Sequence, residues 1–76
     1  MNRTVFDFSK LRGRIIEKYG KYDVFAKAIG LSPAQLCDRL NNKIQFKPRE
    51  IYLIASAEVL DIPGAEIHRY FLTPKV

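Results

Sequence analysis

The sequence predicts an all-α domain of five short helices that takes in residues 1–76 as a single unit. Three observations carry that prediction. Apolar residues recur at the three- and four-residue spacing of a helix face, and no stretch reads as a convincing strand. The breaks fall at glycine and proline, with four of each in the chain. Finally, 76 residues that are 47% hydrophobic suffice for one modest, ordered core but not for a deep pocket between subdomains. There is no repeat, linker or low-complexity segment, so only the first five residues and the last few are expected to be loosely held.

Asp7 can cap the first helix, with Phe6 and Leu11 as a hydrophobic staple. Leu11, Ile15, Ile16 and Tyr19 make its apolar face before Gly20 stops it. A second helix runs from about Tyr22 to Ile29 and turns Phe25, Ala28 and Ile29 inward; Gly30 then supplies the left-handed residue that lets the chain leave. The third helix, Pro33 to Leu40, carries the densest set of start signals. Ser32 is a preferred N-cap, Pro33 fits N1 because its missing N–H would be unpaired there, and Gln35 at N3 completes a capping box. Leu31 and Leu36 occupy the staple positions, Leu36 and Leu40 point inward, and Asn42 tolerates the left-handed conformation that ends the helix.

The fourth helix begins at Pro48, behind a Phe46/Ile51 staple and a poor cap, Lys47. Ile51, Ile54, Ala55 and Leu60, with Tyr52 or Leu53 and Val59 alongside, mark it as the most apolar element and the central core helix, broken at Ile62-Pro63-Gly64. A short fifth helix from about Ala65 to Phe71 or Leu72 buries Ile67, Tyr70 and Phe71 and stops at Pro74. Val5, Phe6, Phe8 and the Phe71-Leu72 end serve either a homodimer contact or the closing of the core.

Charge is unevenly placed. Residues 1–49 hold 11 Lys and Arg against 4 Asp and Glu, whereas residues 50–76 hold 2 against 4. The basic end is the end in which two short helices are held by a tight glycine turn, at about residues 22–40. Such a pair is a helix-turn-helix, whose second helix can be presented to a DNA major groove, and a concentrated positive field suits a phosphate backbone. A solvated basic surface is the plainer reading of the same charges.

The run Phe25-Ala26-Lys27-Ala28-Ile29-Gly30-Leu31-Ser32, then Leu36, Leu40-Asn41-Asn42-Lys43, then Ile51-Tyr52-Leu53-Ile54-Ala55 and Leu60-Asp61-Ile62-Pro63, resembles the Cro/CI (XRE-type) helix-turn-helix family. It is similar above all to small Cro-like phage regulators and modulators of repression of Gram-positive hosts, whose ending is matched by Glu66-Ile67, Tyr70-Phe71 and Val76. The resemblance covers roughly residues 7–76 and is most specific from Gly30 to Lys43. It implies a five-helix lambda-repressor-like DNA-binding domain that docks as a dimer on double-stranded operator DNA in the switch between lysogenic and lytic growth. Its base-facing positions fall on Pro33, Ala34, Cys37 and Asp38. Its backbone-facing positions fall on Lys21, Tyr22, Ser32, Asn41 and Lys43.

The residues support a similar map by themselves. With Leu36 and Leu40 inward, steps of ~100° per residue put Ala34, Asp38 and Asn41 on the opposite face, flanked by Gln35, Cys37 and Arg39. That face is thin for base reading: Gln35 and Arg39, suited to adenine and guanine, lie to one side, and Asp38 faces a negative groove. Small polar or amide residues are usual there in the family, and its common Thr and Gln at positions 21 and 22 are replaced by Lys21 and Tyr22. Lys21 still suits phosphate as a point charge, but Tyr22 cannot brace the recognition helix as an amide does. Tyr22 suits a protein interface, or packs its ring against the first helix.

Two functions from different classes follow. One is Cro-like operator binding through the third helix; the alternative is an antirepressor that binds the cognate CI repressor protein. An enzyme is not expected. Gly13, Gly20, Gly30 and Gly64 stand singly rather than in a phosphate loop, and His68 has Glu66 only two residues away, off its helix face. One cysteine and one histidine give neither an internal disulfide nor a structural zinc site, so no metal or other cofactor is expected. Cys37 reads as a small filler, His68 as a surface residue, and Lys10, Arg12, Arg14 and Lys18 as a solvated face. No apolar run approaches the ~18 residues of a membrane span, and the start lacks a signal core, so the expected place is the cytoplasm of a bacterial host cell. Neither a membrane nor a small-molecule substrate is expected as a partner.

Overall fold

Phe25, Phe71, Leu11, Ile15, Leu36, Ile54 and Leu60 are almost completely removed from solvent, and they come from all five α-helices and one loop, that of Leu60. The structure, a computed structural model, describes residues 5–74. Its elements in order are α1 (Ser9–Tyr19), α2 (Tyr22–Ala28), α3 (Pro33–Leu40), α4 (Pro48–Ala55), a 3₁₀ turn (Gly64–Glu66) and α5 (Ile67–Phe71). The fold is therefore all-α with five helices, and among the described residues the sole β feature is one antiparallel bridge between Phe6 and Pro74. The loose ends anticipated by the sequence lie, Val5 apart, outside the described residues.

α1 packs on α2 and α5, and α2 packs on α3. Tyr19 meets Phe25 edge-on at 5.3 Å, and Phe46 meets both Phe8 and Phe71 edge-on at 5.4 and 5.3 Å, the arrangement favoured by the ring quadrupole. Phe8 and Phe71 thus close the core, while Val5 and Leu72 remain exposed. The Asp7 side chain accepts from the Ser9 N–H at 2.9 Å and the Ser9 hydroxyl at 2.6 Å. It caps α1 one residue ahead of the structural N-cap, Phe8.

Five expectations about burial, contacts and helix extent need correction. Ala26 is buried and Ala28, the last residue of α2, is exposed; Ile16, expected inward, is exposed. Cys37 is exposed rather than a filler. Helix α1's basic residues are not merely solvated: the Arg14 Nε donates to the Leu60 carbonyl at 3.1 Å, and Lys10 lies 5.0 Å from the centroid of the Tyr70 ring. α4 ends at Ala55 instead of continuing to Leu60, and Ile54 is its one buried residue.

The early end of α4 has a local cause. The Ser56 hydroxyl donates to the Leu53 carbonyl at 2.7 Å, and Ser56 leaves the helical region, the competition with the helix ladder that serine side chains offer. The chain then folds back, so that the N–H groups of Leu60 and Ile62 satisfy the carbonyls of Ile54 and Ala55. Val59, Leu60 and Ile62 are buried from this loop, not from a helix.

Candidate functional site

The α2–α3 pair is built almost entirely by local chemistry. α2 closes with a Schellman motif: Gly30, at φ 77°, donates to the Lys27 carbonyl at 3.2 Å, and Leu31 donates to Ala26 at 2.9 Å. α3 opens with the full capping box, Gln35 N–H to Ser32 Oγ at 3.1 Å and Ser32 N–H to Gln35 Oε1 at 2.9 Å. It closes with a second Schellman motif on Asn42 at φ 63°, in which Asn42 donates to Arg39 and Lys43 to Asp38. The Asn42 side chain then pairs reciprocally with the Phe6 backbone at 2.9 and 3.0 Å, which fixes the exit from α3 to the start of the chain.

Among the described residues, this α2–turn–α3 arrangement leaves one side of α3 uncovered. Pro33, Ala34 and Cys37 are exposed there, and with Tyr22, Leu36, Leu40, Arg12 and Asp23 they line an open groove of about 390 Å³. The Arg12 guanidinium lies 5.9 Å from the centroid of the half-buried Tyr22 ring and donates to the Leu40 carbonyl at 3.2 Å and Asn41 Oδ1 at 3.0 Å. Asn41 in turn donates to Cys37 Sγ at 3.1 Å. Lys21, at the N-cap of α2, and Lys43, just after α3, are exposed at the two ends of the surface. Asp38 is half-buried on it, and among the described residues its carboxylate has no ion-pair partner.

Two of the base-reading candidates are occupied elsewhere. Arg39, expected on the flank of the outer face, is buried at 6% exposure. Its Nε and Nη2 make a bidentate pair with Glu50 of α4 at 2.9 and 3.0 Å, and its Nη1 donates to the Gln35 carbonyl at 3.0 Å. This corrects the sequence map, because a partner supplied by another helix overrides the ~100° rule for a side chain long enough to reach it. Gln35 Oε1 is held by the cap. Partial burial would raise the Glu50 carboxyl, but hydrogen bonds from Arg39 and the Lys47 N–H, with the charges of both residues, outweigh it and hold the group below its ordinary range. Lysine has no lone pair to return the cap, so Lys47 contributes only its backbone at the start of α4.

Of the anticipated positions, Tyr22, Pro33, Ala34 and Cys37 line the groove, Ser32 and Gln35 form the cap of α3, Asn41 bonds Cys37, Lys21 and Lys43 are exposed, Asp38 is half-buried, and Arg39 turns inward to Glu50. Sequence reasoning missed Arg12, Asp23 and Glu50. Arg12 reaches the site across helices, so nothing on its own helix marks it, whereas Glu50 stands at N3 behind Pro48, a capping signal that could have drawn attention to it.

Residues 4–74 match the model of a family described as Protein of unknown function (DUF739). The chain belongs to that family. Its structure is also similar to the solution structure of the modulator of repression (MOR) of the temperate bacteriophage TP901-1 from Lactococcus lactis. The TM-score is 0.75 and the identity 38%, over 87% of this chain and 86% of that one. No curated protein matches the sequence. The likeness is thus to a small phage regulator over most of both chains.

Proposed function

We propose that this chain is a modulator of repression of a temperate phage, which acts by docking its α2–α3 surface on the DNA-reading surface of the cognate CI repressor. The observation that carries the reading is the chemistry of α3's outer side. Arg39 and Gln35, its two strong base readers, are committed to Glu50 and to the cap. What remains is an apolar groove with Tyr22 and Arg12 in its lining and two carboxylates, Asp23 and Asp38, nearby. Tyrosine and arginine are favoured anchors of protein interfaces, and a carboxylate complements a basic DNA-reading surface while it repels phosphate. The likeness to a phage modulator of repression supports the same reading.

Operator binding is the second reading, favoured by the exposed Lys21 and Lys43 at the ends of the surface. On that reading phosphates carry the affinity, and removing the charge of Lys43 weakens binding to all sequences alike and lowers the salt slope by about one unit. A gel-shift titration of the operator region separates the two. Addition of this chain is expected to reverse the shift produced by the repressor, while the chain alone leaves the DNA unshifted at about 10 μM, a concentration at which regulatory complexes form. A shift by the chain alone, falling steeply with salt, would support operator binding instead.

A further inference from the structure

The groove on α3 draws its lining from α2 and α3 with one exception among the described residues, Arg12 of α1. The half-buried Arg12 side chain meets three different parts of that surface. Its guanidinium carbon lies 5.9 Å from the centroid of the Tyr22 ring, at the first residue of α2, within the reach of a cation–π contact. Its Nη2 donates to the Leu40 carbonyl at 3.2 Å and to Asn41 Oδ1 at 3.0 Å. That carbonyl stands in the last turn of α3, where the helix supplies no N–H of its own and a cation is favoured. With its oxygen held by Arg12, Asn41 presents its amide to Cys37 Sγ at 3.1 Å.

A single guanidinium thus ties together the Tyr22 ring, the last turn of α3 and the Asn41–Cys37 pair. Arginine suits this task because its donors are fixed in one plane whose face can lie on a ring; lysine, a point charge on a flexible stem, cannot both stack flat and fork between two acceptors. Side chains held in place before contact lose less freedom on association. A positive charge is itself unfavourable toward a basic DNA-reading surface, so what Arg12 contributes is geometry. On the docking reading given above, on which this role rests, we propose that Arg12 is a positioning residue whose guanidinium fork pre-orders Tyr22 and the Asn41–Cys37 pair for the repressor.

Arg12→Lys keeps the charge and removes the fork. In the free chain it is expected to move the NMR signals of the Tyr22 ring and the Asn41 side-chain amide, while those of Phe71 in the core and the circular dichroism spectrum stay as they are. In calorimetric titrations of the repressor's N-terminal domain it should weaken association about tenfold in the native background and about threefold or less in a Tyr22→Leu background, where the ring to be ordered is gone. A residue that supplied only charge would lose nothing on Arg12→Lys, and one that only supported the fold would lose the same in both backgrounds. Unmoved Tyr22 and Asn41 signals, or equal losses in the two backgrounds, overturn the positioning role while the native chain still binds. The NMR signals decide by themselves if Tyr22→Leu removes binding altogether. A native chain that does not bind the repressor domain overturns the docking reading, and this role with it.

Discussion

α3 and α4 are both eight residues long and both begin with proline, yet they are specified in different ways. α3 carries its own instructions: a capping box that closes reciprocally, a staple, two inward leucines and an asparagine in the left-handed region at its exit. α4 has half a cap and more apolar residues, but Tyr52 and Leu53 point outward and the helix stops where Ser56 turns on it. Apolar content therefore does not say how far a helix runs or which side is core; local hydrogen-bonding chemistry does so more reliably. The functional consequence is that the bounds of α3 are set from within, while the Arg39–Glu50 ion pair adds a polar tie to α4 beside the core they share.

The largest expected contrast lies in the leucines. Leu36→Ala in α3 empties a fully buried site and should cost about 3 kcal/mol, whereas Leu53→Ala in α4 should change stability by less than ~0.5 kcal/mol. Chemical denaturation of both variants measures this. Equal losses would mean that Leu53 belongs to the core after all.

Next comes the link between the two helices. Arg39→Ala strands a largely buried carboxylate and should destabilise by about 3 kcal/mol, while the double replacement Arg39→Met/Glu50→Leu should recover most of that loss. The pair also has a pH signature. Glu50 is held below the ordinary carboxyl range, so its contribution is present above that range and fades as the pH falls through the lowered folded value. Thermal melts should therefore lose stability on the acid side of pH 4.5 in the native chain more than in the double variant. Parallel curves would show that the pair is not what fixes α3 to α4.

The smallest contrast is between the caps. Ser32→Ala should cost ~1 kcal/mol, and Lys47→Ala, whose side chain accepts no cap hydrogen bond, no more than a few tenths, about 0.3 kcal/mol. Reversal of that order would contradict the assignment of specificity to α3.

The same contrast explains what could be read in the sequence. The bounds of α3, the Ser32 cap, and the left-handed Gly30 and Asn42 were all legible because each signal spans four residues or fewer. The loop burial of Val59, Leu60 and Ile62 was not, since a turn that folds back leaves no periodicity. On the candidate site, the exposure of Ala34 followed from helical spacing and Pro33 from the family resemblance, while Arg39's burial and Arg12's place beside Tyr22 depend on partners 11 and 10 positions away in the chain, on other helices.

The central claim is that the α2–α3 surface meets a protein and that Asp38 is an asset on it. Calorimetric titration of the cognate repressor's N-terminal domain with the native chain and with Asp38→Lys tests this most directly. Association of the native chain at or below about 10 μM, lost on charge reversal at Asp38 while the fold is retained, is the predicted result. The account is contradicted if the native chain shows no association at that concentration, or if Asp38→Lys binds the repressor domain as well as the native chain does.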